Sequence, residues 1–452
     1  MKEKQPLHLD LNHLFFPNIS DGPKRLSETS PLFSSTHKAL QALRHTGQLG
    51  FANLPKETLI AEEILKVADS YRGIQNVLMF GIGGSALGAL SVEKALRRSF
   101  DHLDKSPRLF ILDNIDPSLM FDVFDRVKDH DNLFVFVSKS GNTSETLAQY
   151  LFVKKYFPKF SYDRCVVITD LKEGFLRHLV EKEKIKSFGI PPSIGGRFSV
   201  FTPAGLFPLA VCGIDILELL NGAQHMETQC ESEILEQNPA ALLAVTLHHW
   251  LVKKKFSQVV LMPYSERLKS VSDWFAQLFA ESLGKAKTIA GKEVSVGFTP
   301  IKSIGVTDQH SQLQLYLEGP RDKVVLFLEV ENFLDPGSLS DEKFRDDRID
   351  FLAGKTLAEL LRAEKSATEE SLREKGCPNA TVKISEVNPY QIGQLYQMFM
   401  NMIPYLGAFL EINPFDQPAV EQIKKFTFGL MGKKGFEDFR EKIPPKKDGF
   451  IF

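Results

Sequence analysis

Residues 132–146 read NLFVFVSKSGNTSET. A strand as apolar as LFVFV is buried on both faces, which is the mark of a parallel sheet covered by helices. The chain leaves that strand and at once presents Ser138, Ser140, Asn142, Thr143, Ser144 and Thr146 around a single glycine. A surface turn or a helix N-cap uses one or two such side chains. The others suit a small anion, held by hydroxyls and by the free amides of the helix expected over SETLAQYLFVKKYF. No Lys-Ser/Thr ending follows, so a nucleoside triphosphate loop is disfavoured.

The same rhythm extends outward from this stretch. NVLMFGIGG, RLFILDNIDP and RCVVITD are further apolar runs, each separated from the next by a stretch of helical length. Strands alternating with helices predict a doubly wound α/β domain with ligands at the carboxyl ends of the strands. A second series begins after about residue 250. QVVLMPYS, QLQLYLEG, KVVLFLEV and ATVKISEV read as strands. SDWFAQLFAESLGKAK and the charged segment 344–376 read as helices, and IGQLYQMFMNMIPYLGAFLEI as a helix apolar enough to be internal. The expected organisation is a helical lead-in over 1–50, a first domain over 51–230, a second over 231–430 and a tail over 431–452.

The 452 residues are 43% hydrophobic and 25% charged with a net charge of −2. That is the composition of an ordinary globular protein, with no electrostatic case for nucleic acid or a membrane surface. The N-terminal MKEKQPLHLDLNHLFF lacks the apolar core of a signal peptide. Cys165, Cys212, Cys230 and Cys377 form no CxxC pair, which fits a reducing, cytoplasmic setting without disulfides. No clustered His, Cys and Asp spacing suggests a metal site.

Two glycine-bearing turns compete for interpretation. VLMFGIGGSALGAL, 77–90, is a strand, a tight turn and a helix, and Gly81, Gly83 and Ala86 satisfy GxGxxA. With Asp113 at the end of the next strand, a nicotinamide dehydrogenase is a real alternative. Gly84 and Ser85 add a backbone approach and a hydroxyl beyond what that fingerprint needs.

GIGGS followed some fifty residues later by SKSGNTSET resembles the sugar isomerase (SIS) domain. GGRFSVFTPAG (195–205), ESLGK (281–285), DQHSQLQLYLEGP (308–320) and NPFDQPAVEQIKK (413–425) resemble, in the right order, motifs of the glucose-6-phosphate isomerase family in its short bacterial form. The resemblance implies two SIS-type doubly wound α/β/α domains with helical extensions. It implies interconversion of glucose 6-phosphate and fructose 6-phosphate without cofactor or metal. The phosphate falls to Ser138, the Lys139 backbone, Ser140 and Thr143, and the sugar to Gly84, Ser85, Gln277 and Gln417. Gln277 lies one helical turn before Glu281, on the same face.

By the same resemblance Glu281 is the proton-transfer base and Arg197 the stabiliser of developing negative charge. His310 assists ring opening and comes from the neighbouring subunit, which implies a homodimer with shared sites. The lysine of the last motif falls on Lys424; the adjacent Lys425 stays open, since side chains about 100° apart on a helix cannot both face one site. His248 and His249 match nothing catalytic. SIS proteins that only sense a phosphosugar keep the cradle without the Arg–Glu–His–Lys set, and a related isomerase of wider epimer range remains a further alternative.

Overall fold

The computed structural model describes residues 5–15, 32–98, 100–101, 107–334, 337–340 and 346–446. Parts of the expected lead-in (1–4 and 16–31), the start of the charged segment (344–345) and the end of the tail (447–452) lie outside the described residues. Strands are numbered along the chain: β1 (His8–Asp10), β2 (Asn76–Phe80), β3 (Arg108–Leu112), β4 (Asn132–Ser138), β5 (Cys165–Thr169), β6 (Lys186–Gly189), β7 (Gln258–Pro263), β8 (Lys285–Lys287), β9 (Glu293–Val296), β10 (Thr299–Lys302), β11 (Lys323–Val330) and β12 (Asn379–Ile384).

The first sheet has the order β3-β2-β4-β5-β6, and every pairing is parallel. All seven residues of β4 are buried. Its alternate residues face different cores: Leu133, Val135 and Val137 pack into one, Phe134 and Phe136 into the other. This is why LFVFV carries no polar alternation.

The second sheet runs β1-β12-β11-β7-β10, parallel except for β1, which pairs antiparallel with β12. Part of the expected lead-in therefore completes this sheet. The architecture is α/β with parallel-sheet cores, and among the described residues no helix is long and apolar enough to cross a membrane.

Two local readings are corrected. QLQLYLEG is not a strand; Leu313–Glu318 is a helix. The alternation misleads because the deciding contacts are one helical turn apart. Tyr316 Oη donates to Gln312 Oε1 at 2.8 Å, and Gln314 Nε2 to Glu318 Oε2 at 2.7 Å. The helix expected over SDWFAQLFAESLGKAK stops at Leu283, and Lys285–Lys287 forms β8 after Gly284. The strands Lys186–Gly189 and Thr299–Lys302, short and partly polar, escape a search for apolar runs.

One helix joins the halves. Pro389–Phe409 is buried from Tyr390 through Gly407, in keeping with its apolar sequence. It crosses the helix Ile216–Cys230 at backbone contact: a Cβ on Gly393 would lie 2.0 Å from the Leu219 carbonyl oxygen, and one on Gly222 would lie 1.9 Å from that of Tyr390. On the first-sheet side, Tyr396 Oη donates to Ser91 Oγ at 2.6 Å. On the second-sheet side, Trp274 lies 4.1 Å from the Tyr396 ring and Phe275 4.9 Å from that of Phe399.

A buried charge is satisfied along the same helix. Glu227 accepts from Arg44 Nε at 2.8 Å and from Gln397 and Asn401 at 2.6 Å each. A buried ion pair of this kind is tolerated because its remaining lone pairs are occupied.

His248, at the end of the helix Pro239–His248, is buried against Phe409. Burial, then Lys253 and His249, pull its imidazole down to about 4. The unfolded chain takes up that proton near pH ~6.5, the native state only near the lower value, so acid favours unfolding. Stability should be intact above pH ~6.5 and fall through the interval below it by up to about 3 kcal/mol. Urea midpoints measured from pH 7 to pH 4 should show this slope, and His248→Leu should flatten it.

Candidate active site

Strand order places the site. From β2 the chain steps outward to β3, then crosses back over β2 to β4 and continues in the opposite direction. The loops after β2 and β4 diverge from adjacent strand ends, and such a switch point is where doubly wound sheets leave a crevice. These two loops are GIGGS and SKSGNTS.

The helix Ser144–Tyr156 begins at Thr143 without a side-chain cap. Instead Thr143 Oγ1 and Ser138 Oγ share a hydrogen bond of 2.8 Å. The Ser140 hydroxyl accepts from the Asn142 N–H at 3.2 Å, and Asn142 Oδ1 accepts from the Phe175 N–H at 3.0 Å. Gly141, at φ +65°, turns the loop, and its N–H donates to the Ser138 carbonyl at 3.0 Å. Lys139 sends its ammonium away to the Pro192 carbonyl at 2.7 Å, so its side chain is not a cradle group. Hydroxyls and an uncapped helix start are together what an oxyanion accepts as ligands.

The segment after β6 brings in Arg197, on a turn over Gly196–Phe198. A Cβ on Gly84 would sit 2.2 Å from the Gly196 carbonyl carbon, so GIGGS and GGRF touch backbone to backbone. Ser199 Oγ fastens them by donating to the Gly84 carbonyl at 3.0 Å. The contact fills one side of the turn where a dinucleotide reading would need access.

Arg197 is 2% exposed. Its Nε donates to Ser282 Oγ at 2.7 Å, and Nη1 to Gln417 Oε1 at 2.9 Å. Its Nη2 donates to the Pro414 and Asp416 carbonyls at 2.6 and 3.2 Å. Glu281 Oε1 stands 3.4 Å from Nη1. Burial pulls the guanidinium below its usual pKa, while Glu281 and Asp416 oppose the shift. The cation is thus held by dipoles and left partly uncompensated.

Glu281 comes from the helix Lys269–Leu283 and remains about a quarter exposed, at 26%. Gln277 Nε2 donates to its Oε2 at 3.2 Å, while Gln277 Oε1 is buried without a partner among the described residues. Lys285, also buried, ties down the end of this helix through the Glu281 and Ser282 carbonyls at 2.7 and 2.9 Å. Burial, and next the nearby Arg197, lower its ammonium pKa.

Ser282, Ser199 and Lys285 escaped the sequence reading. Ser282 adjoins Glu281, Ser199 follows Arg197 by two residues and Lys285 follows Glu281 by four, but only the tertiary contact shows what each holds. Among the described residues, two expected residues make no hydrogen bond or ion pair with this cluster. His310 ends an exposed turn over Thr307–His310, fixed by Asp308, which accepts from Ile304 N–H at 2.7 Å and Ser311 Oγ at 2.5 Å. Lys424 lies on the exposed helix Val420–Leu430 and pairs with Glu421 at 2.6 Å.

The sequence pattern described as phosphoglucose isomerase matches residues 65–432. The chain belongs to the phosphoglucose isomerase family. A glucose-6-phosphate isomerase of Carboxydothermus hydrogenoformans is 41% identical, with 97% of each chain covered. One of Thermus thermophilus is 36% identical over 93% of this chain and 98% of that one. The crystal structure of a hypothetical protein from Thermus thermophilus superposes with a TM-score of 0.84 at 35% identity, covering 94% of this chain and 99% of that one. A glucose-6-phosphate isomerase from Chlamydia trachomatis shares the fold, with a TM-score of 0.71 at 24% identity over 84% and 73% of the two chains.

Membership in the phosphoglucose isomerase family makes the chain an isomerase, and the dehydrogenase alternative falls. Arg197→Lys, which keeps the charge but loses the fork that reaches four partners, should lower kcat by roughly 10²–10³-fold. Steady-state kinetics beside a circular dichroism melt would check this.

Proposed function

We propose that this isomerase interconverts glucose 6-phosphate and fructose 6-phosphate through a cis-enediolate, as a step of glycolysis and gluconeogenesis. The observation that carries the reading is Glu281, poised between Gln277 and a buried guanidinium that is short of negative charge. Ser138, Ser140, Thr143 and the Lys139 backbone anchor the phosphate, whose binding positions the sugar. Gly84 and Ser85 line the sugar, and Gln277 Oε1 offers an unused acceptor to a sugar hydroxyl.

Ring opening comes first. His310 and Lys424 move a proton to the ring oxygen and take one from O1, so that the C1–O5 bond breaks and an aldehyde forms. Glu281 removes the C2 proton. The C–H electron pair becomes the C1=C2 double bond, and the carbonyl electrons move onto O1. Arg197, itself buried, stabilises that oxyanion. The O2 hydroxyl proton passes to O1, and protonated Glu281 then returns its proton to C1 as C2–O becomes the ketone. Gln417 orients Arg197 and contacts the substrate from the last motif.

His310 is exposed, on a turn tied down by Asp308, and is therefore accessible to a neighbouring chain in a homodimer with shared sites. Lys424 has to leave Glu421 to reach substrate, a small cost for an exposed pair.

Proton NMR in D₂O with EDTA present tests the chemistry. Loss of the C2 proton signal as fructose 6-phosphate forms is expected, and no turnover by the folded protein would sink the reading. Glu281→Gln should lower kcat by about 10²–10⁴-fold while KM stays within a few-fold; near-normal kcat would remove the base assignment.

Mixing tests the shared site. Glu281→Gln and His310→Ala chains, each nearly inactive alone, should after dissociation and reassociation regain roughly a quarter of wild-type activity, because half the dimers then hold one intact site. No recovery would place His310 in its own chain's site.

A further inference from the structure

Two helices that lead to the active site begin or end at a cavity away from it. The helix Leu87–Leu96 starts just after Gly83–Ser85, and its far end meets the start of the helix Lys269–Leu283, which carries Gln277 and Glu281. At that meeting point is a cavity of about 260 Å³, lined by the cations Lys94, Arg97, Arg98, Arg267 and Lys269 together with Glu93, Glu266 and Ser270. At 1.5 Å per residue it lies about 18 Å along the helix from Glu281, so it is separate from the catalytic cluster.

Among the described residues these five cations face three carboxylates, Glu93, Glu266 and Asp101. Glu93 stands 3.5 Å from Lys94 and 4.0 Å from Arg97, and Glu266 stands 3.5 Å from Lys269. Arg97 also donates to the Pro107 carbonyl at 3.0 Å, and Arg267 Nη2 to the Leu96 carbonyl at 2.7 Å. Asp101 accepts the Arg98 backbone N–H at 3.4 Å and attracts Arg267.

Arg267 Nε is nevertheless buried with no acceptor among the described residues. A cationic donor left so is costly. Burial, then repulsion from Arg98, pull the Arg267 pKa below its usual value. Two guanidiniums lining one small concave space suit a doubly charged oxyanion.

We propose that this cavity between the two helices binds a phosphate dianion, either free or as the end group of a small phosphate ester, with Arg267 and Arg98 as its principal ligands. Bound there, the anion bridges the helices and stabilises their junction.

Calorimetric titration with inorganic phosphate tests the site. The cradle also accepts phosphate, so the background is Ser138→Ala with Thr143→Ala. This variant should still bind one phosphate per chain. Adding Arg267→Gln should weaken that binding at least tenfold, and so should Arg98→Glu, an exposed change that leaves folding alone. The phosphate-dependent rise in melting temperature should vanish with it.

Absence of phosphate binding in the cradle variant would overturn the proposal, and so would binding indifferent to both arginine changes. Repeating the titration with glycerol phosphate separates the sources: tighter binding of the ester assigns an ester ligand, tighter binding of phosphate a free one. None of these readouts depends on isomerisation, so the site can fail while the proposed reaction stands, and the reverse.

Discussion

A single buried guanidinium fixes the geometry of the rest of the site. Arg197 leaves the first sheet on a turn that touches GIGGS. It binds Ser282 from the half of the chain that builds the second sheet, and three groups of the C-terminal segment 414–417. Four hydrogen bonds and one carboxylate at 3.4 Å offset the cost of burying the charge. The partners are mostly neutral dipoles, so the positive charge is oriented without being cancelled. That is the condition under which a cation stabilises charge that appears only during reaction. Glu281 is set by the same arrangement, because its neighbour Ser282 is one of the arginine's ligands.

Glycines make this convergence possible. Gly84 and Gly196 meet where any side chain on Gly84 would strike main chain, and Gly222 and Gly393 let two helices cross at the same kind of distance. In each place the missing Cβ permits a contact between parts of the chain far apart in sequence. The hydroxyl loop and Glu281 therefore come from separate halves of the chain yet hold a fixed relation.

Much of this was legible in the sequence. The apolar runs of β2, β4, β5, β7 and β11 announce buried parallel strands, since a strand covered on both faces has no need of alternation. The hydroxyl-rich loop after β4 was readable because helix capping leaves most of its side chains unused. What stayed hidden was tertiary. Leu313–Glu318 alternates like a strand, and only Gln312, Tyr316 and their one-turn bonds make it a helix. Arg197 carries no local sign that it is buried. Ser282 and Lys285 look like ordinary helix-end residues until their partners, Arg197 and the last carbonyls of the Lys269–Leu283 helix, are known. The positions of His310 and Lys424 in the single chain leave open spatial steps that sequence pattern does not encode.

The helix Pro389–Phe409 has a consequence for biosynthesis. The Leu7 N–H is accepted by Gln394 across 387 residues, and Arg44 donates to Asn401 across 357. A ribosome adding roughly 5–20 residues per second reaches these partners on the order of half a minute after the N-terminal segment emerges. Through that interval the apolar faces prepared for this helix have nothing to cover them. The first half of the chain thus cannot finish closing until its last long helix arrives.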